Sequence, residues 1–455
     1  MSGHEGAGQA LTHGPEVVFG WDGMIVSSVI LFIVYAFIIT DRLNPAVISL
    51  LGAGAMIILG VINQELAVQG IDFNTIFLLI GMMIIVGIMK DSGVFQYVAI
   101  MAAKSVRGNP RALLAILSII TAIFSALLDN VTTVMLIVPI TLLLTEQLKL
   151  NPYIFLASQI FASNIGGTAT LIGDPPNILI GSAVGFSFVD FLENTAPIAA
   201  ILMVFLVVFF DLIWGRKLKT SLKAIAHLLR YKPEEALTDK PLLVKSLMVL
   251  ALVFFGFVVG HGQGIEPGTT ALTGAALLMM LNIYKMKPEK QTKSVHTAFG
   301  EVEWDTIFFF IGLFIVVYAV EYTGLLSLLG HKLIEITGGD LKVTGYVILW
   351  VSALFSSVIN NIPFIATMIP LIESTADSFG GLDQLTPLWW CLALGGCLGG
   401  NGSLIAASAN VMVGSFAERA GHRITFMKFL KLSFPVMLAT IAISHVYVWW
   451  MYFSG

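Results

Sequence analysis

Charged side chains are scarce in this chain: Asp, Glu, Lys and Arg make up 11% of its 455 residues, against about 25% in an ordinary soluble domain. That excludes the solvated surface of a globular protein. Cysteine is nearly missing as well. Cys391 and Cys397 both sit in an apolar stretch, so no disulfide framework is expected. No GxxxxGK[ST] string occurs, so the chain is not expected to hydrolyse ATP itself, and an external cytoplasmic ATPase partner stays open. The opening MSGHEGAGQALTHGPEVVFG lacks the basic start and apolar run of a signal peptide, so the first hydrophobic segment is expected to remain as a span. His4 and His13 read as solvated tail residues. The net charge of −4 points to no nucleic-acid partner, and neither a cofactor nor a metal site is expected.

What is abundant is apolar surface: 57% of residues are hydrophobic and the mean hydropathy is +0.90. A membrane helix needs about 20 mostly apolar residues. Such stretches lie near 21–40, 43–62, 72–90, 152–185, 187–214, 244–262, 267–285, 303–322, 386–418 and 425–452. The fold class expected is an all-α polytopic membrane protein of about ten transmembrane helices. Two further apolar pairs, 110–147 and 341–378, are expected as re-entrant hairpins whose arms are each too short for a separate crossing.

Lys and Arg accumulate in cytoplasmic loops. The richest loop is 215–245, followed by 90–111, 285–293 and 419–431, whereas the N-terminal tail and 63–72 carry acids and no bases. Placing every basic loop inside requires one hairpin to enter from each face, and puts both termini outside.

An internal repeat fits this arrangement. DFNTIFLLIGMMIIVGIMKDSGV (72–94) aligns with EWDTIFFFIGLFIVVYAVEYTGL (303–325), and FSALLDNVTTVMLIVP (124–139) with FSSVINNIPFIATMIP (355–370), at an offset of 231. GGTATLIGDPPNILIGS (166–182) aligns with GGNGSLIAASANVMVGS (399–415) at an offset of 233. The organisation expected is a tail (1–20), a first half (21–214) holding repeat 1 (72–214), a cytoplasmic linker (215–243), and a second half (244–455) holding repeat 2 (303–455). Repeat 1 begins with an inward span and repeat 2 with an outward one, giving the inverted topology of secondary transporters.

Four polar interruptions stand out: LLDNVTT (127–133), SNIGGTATLIGDPPN (163–177), INNIP (359–363) and GGNGSLIAASAN (399–410). Backbone freed by Gly and Pro cannot face lipid but can line a hydrated cavity. Gly166, Gly167, Gly399 and Gly400 are read as that lining, with close helix packing as the alternative. Asn130, Thr132, Thr168, Asn177, Asn361, Asn401, Ser403 and Asn410 offer neutral donors and acceptors for an uncharged polyhydroxyl solute or a weakly held ion. The plainer reading is that such residues bond neighbouring helices. Asp129 and Asp174 are read as proton-coupling groups, because a carboxylate at membrane depth costs at least about 2.5 kcal/mol. Their mates are Asn360 and Ala407, so both acids lie in the first half. The alternatives are a helix cap for Asp174 and a hairpin-tip bond for Asp129. Two aspartates could also suggest an intramembrane protease, but its paired motifs are missing, and a passive channel does not need occluding hairpins. No catalytic residue is assigned.

The interruptions DNVTT, NIGGTATLIGDPPN, NNIPFIATMIP and GGNGSLIAASAN resemble the ion transporter superfamily, in particular its arsenite-efflux permeases and the branch of the melanosomal P protein, over roughly 45–450. The chain departs from the sodium–proton antiporter branch, where GDITT would stand at GDPPN. It departs also from dicarboxylate transporters, whose Ser-Asn-Thr tips are Asp129-Asn130-Val131 and Asn360-Asn361-Ile362 here. The resemblance implies a scaffold region that forms a homodimer contact and a transport region of hairpins and broken helices. It further implies proton-coupled efflux of a small inorganic solute, arsenite or antimonite, across the inner (plasma) membrane of the cell. A P-protein-like anion transporter and a sodium/proton antiporter are the alternatives.

The topology is tested by cysteine labelling from each side. Positions 148–151 should react only from the cytoplasm and 378–384 only from outside. Labelling of both from one side would contradict the inverted arrangement.

Overall fold

The computed structural model describes residues 17–40 and 42–454. Most of the expected tail, with His4 and His13, therefore lies outside the described residues. In chain order the first half holds α1 (Gly23–Thr40), α2 (Pro45–Ile58), short α3 (Gln64–Gln69), α4 (Phe73–Lys90) and α5 (Val94–Ser105). It continues through α6 (Pro110–Leu127), α7 (Asn130–Gln147), α8 (Pro152–Thr168), α9 (Pro175–Val184), α10 (Phe188–Asn194) and α11 (Ala196–Ile213). The linker carries α12 (Leu222–Leu228). The second half holds α13 (Lys240–Gly260), α14 (Pro267–Ile283), α15 (Pro288–Gly300), α16 (Trp304–Tyr322) and α17 (Leu325–Thr337). It ends with α18 (Leu341–Ser356), α19 (Asn361–Glu373), short α20 (Ala376–Phe379), α21 (Thr386–Gly399), α22 (Ser408–Arg419) and α23 (Phe426–Val448). No strand occurs among the described residues.

Eight of these helices are long and apolar enough to cross a membrane, or nine if α9 and α10, bent by 116° at their junction, count as one span. The difference from the ten expected spans has a physical cause. Pro and Gly cut the 152–185 and 386–418 stretches into shorter helices, and α2 and α14 have only 14 and 17 residues. The expectation that no hairpin arm could cross also needs correction. The arms α6 and α7 have 18 residues each, about 27 Å of helix, while α18 and α19 have 16 and 13.

Asparagine starts several of these helices. Asn44, Asn109 and Asn151 each precede a proline at the first helical position and accept a backbone N–H of the first turn, which satisfies a group the helix leaves open. Apolar side chains then surround the helices on all sides, and their packing binds nearly the whole bundle into one core.

The packing has a recurring pattern. Helix α6 lies against α8 as α18 lies against α21, and α4 lies against α14 as α16 lies against α2. The last two contacts cross between halves, and a Lys90–Glu301 ion pair adds a further tie there. Close approach depends on two glycines 231 positions apart. A Cβ at Gly81 would lie 2.5 Å from the Ala271 carbonyl carbon, and one at Gly312 would lie 2.5 Å from that of Ser49. Equivalent packing thus reaches back to the α1–α2 and α13–α14 pairs, before the alignable segments begin.

Gly81→Val and Gly312→Val should each lower the melting temperature of the purified protein, since overpacking costs about 1–3 kcal/mol. Gly54→Ala, where a Cβ meets nothing within 4 Å, is the control. Melting of Gly312→Val indistinguishable from that control would refute the close-packing assignment.

Candidate functional site

Each hairpin turns on a side-chain cap. Asp129 precedes α7 with an extended backbone, and its Oδ1 accepts the Thr132 N–H at 2.7 Å. Its mate Asn360 precedes α19 and accepts the Ile362 N–H at 3.2 Å. Asn130 and Asn361 follow as the first helical residues, both buried.

The broken pairs solve a harder problem, because their freed carbonyls lie inside the bundle. Asn177 Nδ2 donates to the carbonyls of Gly167 (3.2 Å), Thr168 (3.2 Å) and Thr170 (2.8 Å). Asn410 Nδ2 donates to those of Gly400 (2.7 Å) and Ser403 (2.9 Å). Gly167 and Gly400, like Thr170 and Ser403, are separated by 233 positions. The hairpins are fastened to the breaks in the same register: Ser125 Oγ donates to the Ser163 carbonyl and Ser356 Oγ to the Gly396 carbonyl, each at 2.7 Å. Three further bonds, from two equivalent positions, cross between halves. Asn164 Nδ2 donates to Asn410 Oδ1 (3.1 Å) and Asn401 Oδ1 (3.0 Å), and Cys397 Sγ, at the position equivalent to Asn164, donates to Asn177 Oδ1 (3.3 Å).

A cavity of about 250 Å³ opens where tips and breaks from both halves meet, and Asp129, Asn130, Asp174, Asn360, Asn361, Ala407 and Ser408 line it. Glu303 and Asp305, at the start of α16, complete its wall. Four carboxylates therefore face one space, and no Lys, Arg or His is among its lining residues. Asp174 is 1% exposed; its Oδ1 accepts Asn130 Nδ2 at 3.0 Å and its Oδ2 has no hydrogen-bond partner. It occupies the N-cap position of α9 without a side-chain capping bond and lines the cavity. A second cavity of about 460 Å³, bordered by Asp72, Glu266, Glu321 and Glu373, lies at the other end of α16. The start of α4 borders this second cavity, while the start of α16 borders the first.

Of the residues singled out from sequence, Asp129, Asp174, Asn130 and Asn361 come together on the first cavity. The others lie behind its wall. Thr132 gives its N–H to Asp129, Thr168 Oγ1 donates to the Asn164 carbonyl (2.8 Å), and Asn177 and Asn410 hold the breaks. Asn401 Nδ2 and Ser403 Oγ are buried without partners. Gly166 and Gly399 admit the hairpin arms: a Cβ would lie 2.2 Å from the Ala122 carbonyl oxygen and 2.7 Å from that of Ala353. Gly167 packs against Gly173 in the break, and a Cβ at Gly400 would meet the Cys397 carbonyl of α21 and the Ala407 side chain before α22. Glu303 and Asp305 escaped the sequence reading because acids at a span edge look solvated; the one signal was that Glu303 aligns with Asp72. Outside the site, Asp211 pairs with Arg111, and His445 stacks on Tyr346 and accepts Trp350 Nε1 at 3.3 Å.

Residues 35–395 match the family model described as citrate transporter. The chain belongs to the citrate transporter family. It is 41% identical over 435 residues to an uncharacterized transporter of Mycobacterium tuberculosis (strain ATCC 25618 / H37Rv), covering 94% of this chain and 99% of that one. It is 33% identical over 514 residues to the human P protein, covering 93% of this chain and 60% of that protein. The structure of the Alcanivorax borkumensis YdaH transporter aligns with a TM-score of 0.61 at 13% identity, over 94% of this chain and 98% of that one, and so shares the fold. The resemblance to the ion transporter superfamily and its P-protein branch thus holds. This citrate transporter family member is a multi-pass membrane transporter and not an enzyme.

The two asparagine pairs should behave differently on truncation. Asn177→Ala and Asn410→Ala leave buried carbonyls unpaired, at about 1–3 kcal/mol each, and should lower the melting temperature. Asn361→Ala should melt near wild type and Asn130→Ala, which also strips the bond from Asp174 Oδ1, below it, while both weaken solute binding severalfold. Unchanged affinity in both would make the tip asparagines packing residues.

Proposed function

We propose that this chain is a proton-coupled secondary transporter that moves a small, uncharged polar solute out across the cytoplasmic membrane, with arsenous acid and its antimony analogue as the solutes that fit best. The observation that carries this reading is the cavity with four carboxylates and no cationic side chain. Such a wall repels a bare anion, since like charges at close range in a medium of low polarity cost several kcal/mol. It accepts a neutral polyhydroxyl molecule through Asn130 and Asn361, and it accepts protons on Asp129 and Asp174. Near pH 7 arsenous acid is mostly neutral.

The family's description favours one second reading, a carboxylate substrate. In this cavity it would need its charge neutralised by protons or by a cation. A free anion of the kind a P-protein-like anion transporter would carry fits less well, and sodium–proton exchange remains compatible with the acids.

The position of the two cavities at opposite ends of α16, with the start of α4 on the second and the start of α16 on the first, supports an inverted arrangement of the repeats. Alternating access would then expose the tip asparagines to each face in turn. A dimer through the scaffold helices and a cytoplasmic ATPase partner are carried over from the resemblance alone.

Proteoliposomes with an acidic lumen, offered arsenite, sodium, chloride and citrate in turn, test the reading. Arsenite should accumulate against its gradient. Asp129→Asn and Asp174→Asn should lose about tenfold or more of that uphill uptake, because an amide cannot release a proton, while downhill exchange survives. Chloride accumulation without arsenite, or uphill uptake with an unaltered pH profile in the double variant, would overturn it.

A further inference from the structure

Glu303 and Asp72 occupy equivalent positions before equivalent helices, 231 residues apart, yet their carboxylates do different things. Asp72 is taken up by its own helix: the Thr75 N–H donates to Oδ1 at 3.2 Å and Thr75 Oγ1 to Oδ2 at 2.5 Å. Glu303 is one methylene longer and makes no capping bond to the backbone of α16. It keeps a single hydrogen bond, from Thr306 Oγ1 to Oε2 at 3.1 Å, and lines the first cavity.

The four carboxylates of that cavity also differ in exposure. Asp305 is exposed, Glu303 and Asp129 are half-buried, and Asp174 is 1% exposed. All four line the one cavity. Asp305 is already engaged by Asn44 Nδ2 at 3.3 Å, and no Lys, Arg or His among the described residues lines the cavity. The most buried of the four is Asp174, which lines the cavity and keeps one oxygen, Oδ2, buried without a hydrogen bond of good geometry.

We infer that Glu303 is the entry carboxylate of a proton path, relaying protons between solvent at the start of α16 and the Asp129–Asp174 pair. This rests on the proton-coupled reading above. In the relay a proton leaves a Glu303 carboxyl oxygen, crosses the hydrated cavity and binds an Asp129 carboxylate oxygen. Glu303 is left as carboxylate and is reprotonated from bulk water. No bond in the solute changes and no electron moves. The residue acts on the proton alone, so its loss should separate solute passage from coupling.

Glu303→Gln and wild-type protein are compared in proteoliposomes with arsenite and citrate as transported probes, reading three quantities in one preparation: solute exchange at equal pH, uptake driven by an acidic lumen, and lumenal pH by a trapped dye. A melting temperature near that of wild type, taken on the same preparation, would show a folded variant. The expected result is a loss of driven uptake and solute-linked proton release about tenfold greater than any loss of exchange, with a flattened dependence of driven uptake on pH. Driven uptake and proton release unchanged in Glu303→Gln overturn the inference alone. Loss of exchange and driven uptake in equal proportion makes Glu303 structural and overturns it as well. Wild-type protein that accumulates neither probe overturns the proton-coupled reading, and the inference falls with it.

Discussion

A helix broken inside a membrane protein leaves carbonyls and N–H groups that lipid cannot satisfy, and this constraint organises the centre of the transporter. Asn177 and Asn410 meet it, each from the helix that follows a break, by donating back to carbonyls of the segment before it. With these bonds in place, α8 and α21 can stop at mid-bundle and α9 and α22 can restart there. The hairpin tips then reach the same depth, fastened by Ser125 and Ser356. The polar cavity follows from this arrangement, since tips and restarts bring their first residues to one point.

The two halves share this scaffold but not its charge. Asp129 faces a space with Asn360, Asp174 with Ala407, and the α16 start adds Glu303 and Asp305. The similar backbone solutions of the two halves are thus combined with an unequal division of acids at the tips and breaks, where Asp129 and Asp174 both belong to the first half. A symmetric cage suits a solute that must be approached from either face. Confining the tip and break acids to one half limits a cost, because each additional buried carboxylate raises the electrostatic cost of ionising its neighbours.

Much of the fold was legible because apolar length and glycine–proline punctuation are local properties. The four interruptions fall where helices break or hairpins turn, and the aspartate and asparagine at the first tip, with the asparagine of the second, do line the cavity. The exchange of α2 and α14 between halves was not legible, since contacts such as Gly81 against Ala271 and Gly312 against Ser49 join segments too dissimilar to align. Asn177 and Asn410 looked like solute ligands because composition cannot tell an amide aimed at a cavity from one aimed at a backbone. Glu303 was hidden by a smaller difference still. One methylene separates an acid that caps its helix from one that does not.

The crossing bonds at the centre carry a mechanical consequence. Asn164 ties the first half to Asn401 and Asn410 with a two-donor amide, whereas its equivalent, Cys397, ties the second half to Asn177 with a thiol at 3.3 Å. A thiol is a weak donor with one hydrogen. The junction is therefore uneven: two amide hydrogen bonds hold one side of it and a single weak thiol bond the other.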